Sequence, residues 1–313
     1  MGNPPVAVVS GLRHRFGTTV ALDGMSFEVR PGELYGLVGP DGAGKTTTVR
    51  AMAGLLQPAE GTVRIEGQDP LDPGSGVRER MGYMPQRYGL YRDLSVHENL
   101  RFFGNLFCLD RSEFRRRRDR LLDITRLAPF GDRRADALSG GMYKKLALAC
   151  ALLHQPSFLL LDEPTNGVDP VSRGELWALL ADFTAGGMAV LVTTSYMDEA
   201  ARCSRVGLAF GGRLVLQGRP SDLVAGFGDA VLRVEPASGE GMATVEAVLA
   251  GPGKGVEAVT PLGTGLRVVV RAAEADRVAS DIRASGATVR RLAPGFEDLF
   301  LARVADNDSR GAG

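Results

Sequence analysis

Apolar positions in the first 220 residues gather into short, nearly continuous runs separated by longer stretches of helical period. Runs over 6–12, 25–29, 33–38, 63–66, 82–84, 158–161, 189–193, 205–210 and 213–217 read as strands. A run apolar at every position implies a strand covered on both faces, as in an α/β core. Between residues 93 and 137 the pattern is helical throughout, which predicts a helical insertion in that core. Its Arg-rich stretch at 115–118 reads as a solvated helix face. From about residue 221 a second unit begins, with strands over 231–234, 256–259, 266–271 and 288–292. Helices over 241–249, 275–285 and 296–304 complete it. The order β-α-β-β-α-β fits a small ferredoxin-like α+β domain, and no cluster of catalytic residue types falls within it. The polar, Gly-containing tail 305–313 is expected to be disordered.

The length of 313 residues agrees with two domains, 1–220 and 221–304. Lys plus Arg equals Asp plus Glu at 37 each, so the basic excess of a nucleic-acid binder is missing and no nucleic-acid partner is expected. The longest wholly apolar run, residues 146–153, is eight residues, well below the roughly 18 that span a bilayer. The first ten residues have neither a basic stretch nor a long apolar core, so no secretory leader is expected. Three widely spaced cysteines, none in a CxxC, suggest a reducing compartment without disulfide framework or zinc site.

The strongest chemical signal follows the strand over 33–38. Gly39-Pro40-Asp41-Gly42-Ala43-Gly44-Lys45-Thr46 has the form GxxxxGK[ST] and leads into a helical stretch from Thr47. Glycines let successive backbone N–H groups converge on a phosphate, and the helix start adds partial positive charge. Lys45 is placed for the β- and γ-phosphates, and the Thr46 hydroxyl for Mg²⁺. Asp41 is unusual, because a carboxylate in a phosphate cradle is unfavourable. Either its side chain points out and caps the loop, or nucleotide binding is altered.

A second apolar strand ends in Asp162-Glu163. Asp162 suits the Mg²⁺ shell and Glu163 suits polarisation of an attacking water. Leu138-Ser139-Gly140-Gly141-Met142 precedes a helical stretch over 143–153, with Ser139 as its N-cap and backbone N–H groups exposed at the glycines. That is a second anion-binding element in one chain.

Together these motifs resemble the ATP-binding subunit of ABC transporters. The resemblance covers residues 6 to about 221, identifying Gly39 to Thr46 as Walker A, Leu138 to Met142 as the ABC signature, and 158–163 as Walker B. Gln86 matches the Q-loop, which implies a place at the metal and the reacting phosphate, and Asn166-Gly167-Val168-Asp169 matches the D-loop. Phe16 stands where the family stacks an aromatic on adenine, and Thr47 completes the nucleotide-binding set. Gly82-Tyr83-Met84-Pro85-Gln86 with Leu90-Tyr91, and the closing Met142, look like ABC-2-type exporters, a group with drug-resistance members. The second unit and Phe296-Glu297-Asp298-Leu299-Phe300 point the same way, toward the first half of fused two-cassette drug-export subunits.

One departure stands out. Ser195, in Thr193-Thr194-Ser195-Tyr196-Met197-Asp198-Glu199-Ala200, occupies the position of the family's switch His. Serine is shorter and cannot carry positive charge. The resemblance implies a P-loop α/β ATPase using ATP and Mg²⁺ and bound peripherally at the cytoplasmic membrane face. An integral-membrane ABC-2 permease is its implied partner. Two cassettes would close head to tail, and the missing His favours a heterodimer with a second ABC ATPase over a homodimer. The alternative is a slowly hydrolysing cassette that completes or regulates a partner's site. A soluble ABC ATPase acting on ribosomes or DNA is opposed by the neutral charge and the single cassette. The second domain is expected to regulate or to contact the dimer partner.

Overall fold

Strands that are apolar on both faces can only be stabilised between layers, and here they form the inner members of one sheet. The computed structural model describes residues 3–87, 89–236, 241–250 and 255–311. Its contacts divide the chain into two units, Met1–Gln217 and Gly218–Gly313.

The first unit opens with β1 (Ala7–Phe16) and β2 (Thr19–Val29), a hairpin turning at Gly17-Thr18. With β4 (Glu60–Ile65) they form a three-stranded antiparallel sheet. The central sheet has six strands in the order β5-β6-β7-β3-β8-β9. These are β3 (Leu34–Val38), β5 (Met81–Met84), β6 (Phe158–Asp162), β7 (Ala189–Thr194), β8 (Arg205–Phe210) and β9 (Arg213–Gly218). From β5 to β8 the neighbours run parallel. Every residue of β3, β6 and β7 is buried, as uninterrupted apolar runs require. Helix α1 (Lys45–Met52) follows β3 directly.

The segment between β5 and β6 is helical. It contains α2 (Val96–Leu106), α3 (Arg111–Ile124) and α4 (Gly140–Leu152). A capping box of Ser95 and Glu98 starts α2, and Asp110 caps α3. Arg116 and Arg117 pair with Glu113, so the Arg run is partly neutralised within its own helix. Helix α4 starts at Gly140, three residues before the expected 143, because Ser139 already caps that turn by accepting from Met142 N. Helix α5 (Pro170–Ala185) starts with Asp169 as N-cap and Pro170 in its first turn, and the short α6 (Met197–Ala200) follows β7. No helix among the described residues is long and apolar enough to cross a membrane.

The second unit has α7 (Pro220–Ala225), β10 (Ala230–Glu235), α8 (Gly241–Leu249), β11 (Val256–Leu262), β12 (Gly265–Val270), α9 (Ala275–Ala284), β13 (Thr288–Leu292) and α10 (Phe296–Gly311). Its antiparallel sheet runs β11-β12-β10-β13, the order of a ferredoxin-like unit. Leu232, Val234, Val268 and Val270 pack with Val245, Val278 and Ile282 of the helices. The tail expected from 305 onward instead prolongs α10 to Gly311, since no Pro or Gly interrupts residues 304–310.

The start of α10 is fixed by charge. Asp298 is fully buried; its two oxygens accept from Arg267 Nε and Nη2, both at 2.5 Å, and Oδ2 also accepts from Gly295 N at 2.6 Å. Asp298→Ala leaves the one-fifth-exposed Arg267 guanidinium without its counter-charge. Thermal unfolding should show the second unit weakened by about 3 kcal/mol, the lower end for removing one partner of a buried pair.

Candidate active site

In an open parallel sheet the carboxyl ends of the strands form the natural ligand crevice. The loop Gly39–Gly44 follows β3, Asp162 and Glu163 end β6, and Ser195 follows β7. The three neighbouring strands thus bring residues as far apart in sequence as Asp41 and Ser195 into one cleft of about 560 Å³. Phe16, Asp41, Gly42, Gly44, Lys45, Thr46, Thr47, Gln86, Glu163 and Ser195 all line it.

The loop is held by its own backbone. Gly39 N donates to Thr194 O and Ala43 N to Pro40 O, both at 3.2 Å, while Ala43 is buried beneath the loop. Gly44 has φ of 93°, in the left-handed region. Lys45 is only 4% exposed. Its Nζ donates to Gly39 O at 2.8 Å and Pro40 O at 3.0 Å, and lies 3.3 Å from Glu163 Oε1. Asp41 turns outward, its side chain 93% exposed and 3.9 Å from Lys45 Nζ. Phe16 is half exposed on the cleft rim, its ring edge against His14, so it is no part of the core.

Asp162 is 1% exposed. Its Oδ1 accepts from Thr193 Oγ1 at 2.7 Å and from Thr46 Oγ1 at 3.1 Å, and its Oδ2 is buried with no hydrogen-bond partner. Burial holds this carboxyl above the ordinary carboxylate range, against the two hydroxyl hydrogen bonds, and the Glu163 charge adds to the rise. A buried carboxylate with one unsatisfied oxygen beside a threonine hydroxyl suits a hard divalent cation. Glu163 has φ of 49°, a left-handed conformation that a non-glycine residue adopts at a cost. Its N–H donates to Thr193 Oγ1 at 2.9 Å and its Oε2 accepts from Gln86 Nε2 at 2.8 Å. Gln86 therefore meets Glu163 directly, while Asp162 is met by Thr46 and Thr193.

The signature lies elsewhere. None of Leu138, Ser139, Gly140, Gly141 and Met142 lines this cleft. Leu138 and Gly140 instead border a separate open depression with Gln86 and Tyr143. The D-loop's Asp169 caps α5 by accepting from Ser172 N at 2.9 Å, which holds its carboxyl below the usual range.

The sequence reading missed Thr193 and Lys144. Thr193 could have been noticed as one of two hydroxyl residues closing a strand that is otherwise apolar. Lys144 sits beside Lys145 and reads as half of a solvated pair, yet it is 8% exposed. Burial pushes its ammonium down to about 8, opposed by the carboxylates of Glu163 and Glu199.

The sequence matches the family model described as ABC transporter over residues 22–166. It is 40% identical to the probable multidrug ABC transporter ATP-binding protein YbhF of Escherichia coli, over 72% of this chain and 39% of that protein. The chain therefore spans about two fifths of the length of that relative. It is 40% identical to the Nod factor export ATP-binding protein I of Ralstonia nicotianae, over 72% of this chain and 70% of that one. It is 35% identical to the daunorubicin resistance ATP-binding protein DrrA3 of Streptomyces coeruleorubidus, over 96% of each. Among solved structures it resembles an ATP-binding subunit of an ABC transporter, with TM-score 0.65, 29% identity and coverage of 71% of this chain and 93% of that one. It also resembles the cbiO1 subunit of Clostridium perfringens, with TM-score 0.66, 28% identity and coverage of 72% and 92%.

A Cβ at Gly44 would lie 2.5 Å from the Ala21 carbonyl oxygen and would have to adopt φ of 93°. Gly44→Ala should cost about 2 kcal/mol in thermal unfolding and weaken nucleotide binding at least tenfold by calorimetry.

Proposed function

The chain belongs to the ABC transporter ATP-binding family, whose cassettes are ATPases, and from this we propose that it hydrolyses ATP to ADP and phosphate to drive export through a separate membrane permease. The observation that carries the reading is the convergence of Lys45, Thr46, Glu163 and Gln86 on one cleft, with the buried Asp162 hydrogen-bonded to Thr46.

In this reading the loop N–H groups of Asp41, Gly42 and Gly44 to Thr47 cradle the phosphates, and Phe16 on the rim stacks on the adenine. Lys45 exchanges its contacts with Glu163 and the loop carbonyls for the β- and γ-phosphates. Mg²⁺ would be held by Thr46 and Asp162, with Gln86 within the same cleft, and it supplies neutralisation of phosphate charge. Release from Lys45 leaves Glu163 free to polarise the attacking water, with Gln86 orienting its carboxylate. Ser139 to Met142 do not line this cleft, so they serve the nucleotide of a second cassette.

The permease reading is supported by an apolar groove of about 360 Å³ beside Gln86, lined by Met84, Pro85, Leu90, Phe103, Phe107 and His154. Exposed Tyr91, Phe102 and Leu106 adjoin the same segments. Such a patch suits a short helix of an ABC-2-type permease and would hold the chain at the cytoplasmic membrane face. The second unit, with its own core and no phosphate loop, suits a regulatory or dimer-contact role, for which loss of assembly on truncation at Gly218 is the check.

Lys45→Ala should abolish ATP binding by calorimetry. Glu163→Gln should retain binding while turnover falls ~10²–10⁴-fold. Unchanged turnover in both would overturn the reading.

A second reading, slow hydrolysis at this chain's own site, is favoured by Ser195 on the cleft wall. Its hydroxyl cannot supply a cationic donor to the γ-phosphate, which favours a heterodimer whose other cassette keeps one fast site. Ser195→His should then raise the basal turnover of the isolated chain, by up to ~10²-fold. An unchanged rate argues for a competent homodimer.

A further inference from the structure

The signature and the Walker B exit are separate in function but not in packing. Helix α4, which starts at Gly140, lies against the 163–175 segment through Gly141, Lys144 and Lys145. A Cβ at Gly141 would fall 2.4 Å from Ser172 Oγ and 2.5 Å from Ser172 Cβ, so a larger residue there would have to displace Ser172. Lys145 pairs with Glu175 of α5. Between them Lys144, 8% exposed, sends its Nζ to the carbonyl oxygen of Asn166 and to that of Glu163 at 3.4 Å.

Lys144 is the unusual member of this set. A buried ammonium is costly unless its donors are taken up. Two of its acceptors are main-chain carbonyls, so the amine fixes backbone. One carbonyl belongs to Glu163, whose left-handed φ makes its conformation dependent on outside support. The other belongs to Asn166, whose side chain reaches back to Glu163 Oε2 at 3.4 Å. A single amine thus braces both ends of the turn that aims the Glu163 carboxylate.

We propose that Lys144 is a positioning residue that joins the signature helix to the Glu163–Asn166 turn, so that the element presented to a second cassette's nucleotide and the element that polarises water for this chain's own nucleotide move as one body. The proposal rests on the head-to-tail ATPase reading above. It gives engagement of Ser139 by the partner's nucleotide a mechanical route to Glu163. Any loss of Lys144 is then felt in the chemical step, while the phosphate loop is untouched.

The test uses steady-state ATPase kinetics and thermal unfolding of the full-length chain with its assembly partner. Lys144→Met should lower kcat about tenfold, with KM for ATP within twofold of the unmodified protein. Lys144→Gln, whose amide can still donate to one carbonyl, should recover part of that loss. Both effects should exceed any loss of folded protein read from the melting curve. A kcat within twofold of the unmodified protein for Lys144→Met overturns the proposal, as does a kcat loss that merely tracks the folded fraction. Should Lys144→Met fail to fold, Lys144→Gln decides alone: reduced kcat at unchanged KM supports the proposal, and unmodified kinetics overturn it. Failure of the ATPase reading is separate, since it would show as retained ATP binding in Lys45→Ala whatever Lys144 does.

Discussion

Three charges held out of water at the ends of neighbouring parallel strands set the terms for the rest of the first unit. Lys45, Asp162 and Glu163 are each at most 6% exposed. Isolated, any of them would be strongly unfavourable. They persist because each is surrounded: Lys45 by two carbonyls and Glu163, Asp162 by two hydroxyls, and Glu163 by Gln86 and Lys45. Those partners come from α1, from β7 and from the segments that follow β3, β5 and β6, so the sheet order itself is what makes the cluster tolerable. The one atom left over, Asp162 Oδ2, is the position in the cluster that would suit a cation.

The same arrangement explains why the chain reads as half of a functional unit. Its phosphate loop and its signature are both helix starts of a kind that suits an anion, yet they do not share a cleft. Connection within the chain runs through packing at α4, where Gly141, Lys144 and Lys145 meet Ser172, Asn166 and Glu175. Close contact of this kind transmits displacement, because packed interfaces shift as units and do not deform gradually. Ser195 lines the phosphate-loop cleft and takes no part in this packing.

The second unit follows different rules. Its stability comes from a one-sided apolar core beneath two helices, and from Asp298 clamping Arg267 at the start of the last helix. The Phe296 to Phe300 stretch, noticed in the sequence as a family-like ending, therefore also holds the domain together. Its acidic Asp298 is the anchor, and Phe296 and Leu299 are buried beside it.

Much of this was legible in the sequence. Strands such as 158–161 and 189–193 appear where the apolar pattern put them, because a strand covered on both faces must be apolar at nearly every position. The phosphate loop was legible because backbone geometry demands glycines at fixed spacing. Helix α4 starts three residues ahead of its expected place because glycines argue against helix while Ser139 already caps one. The last helix runs past its expected end because polarity alone does not stop a helix. The sequence by itself therefore determined most elements, the glycine spacing of the loop and the serine at position 195, all properties of adjacent residues. Only the tertiary structure decided that Gln86 meets Glu163, that Thr193 shares Asp162 with Thr46, and that Lys144 is buried against the Glu163 turn. These are contacts between residues 19 to 116 positions apart, and no local period or propensity encodes which side chains a sheet order will place face to face.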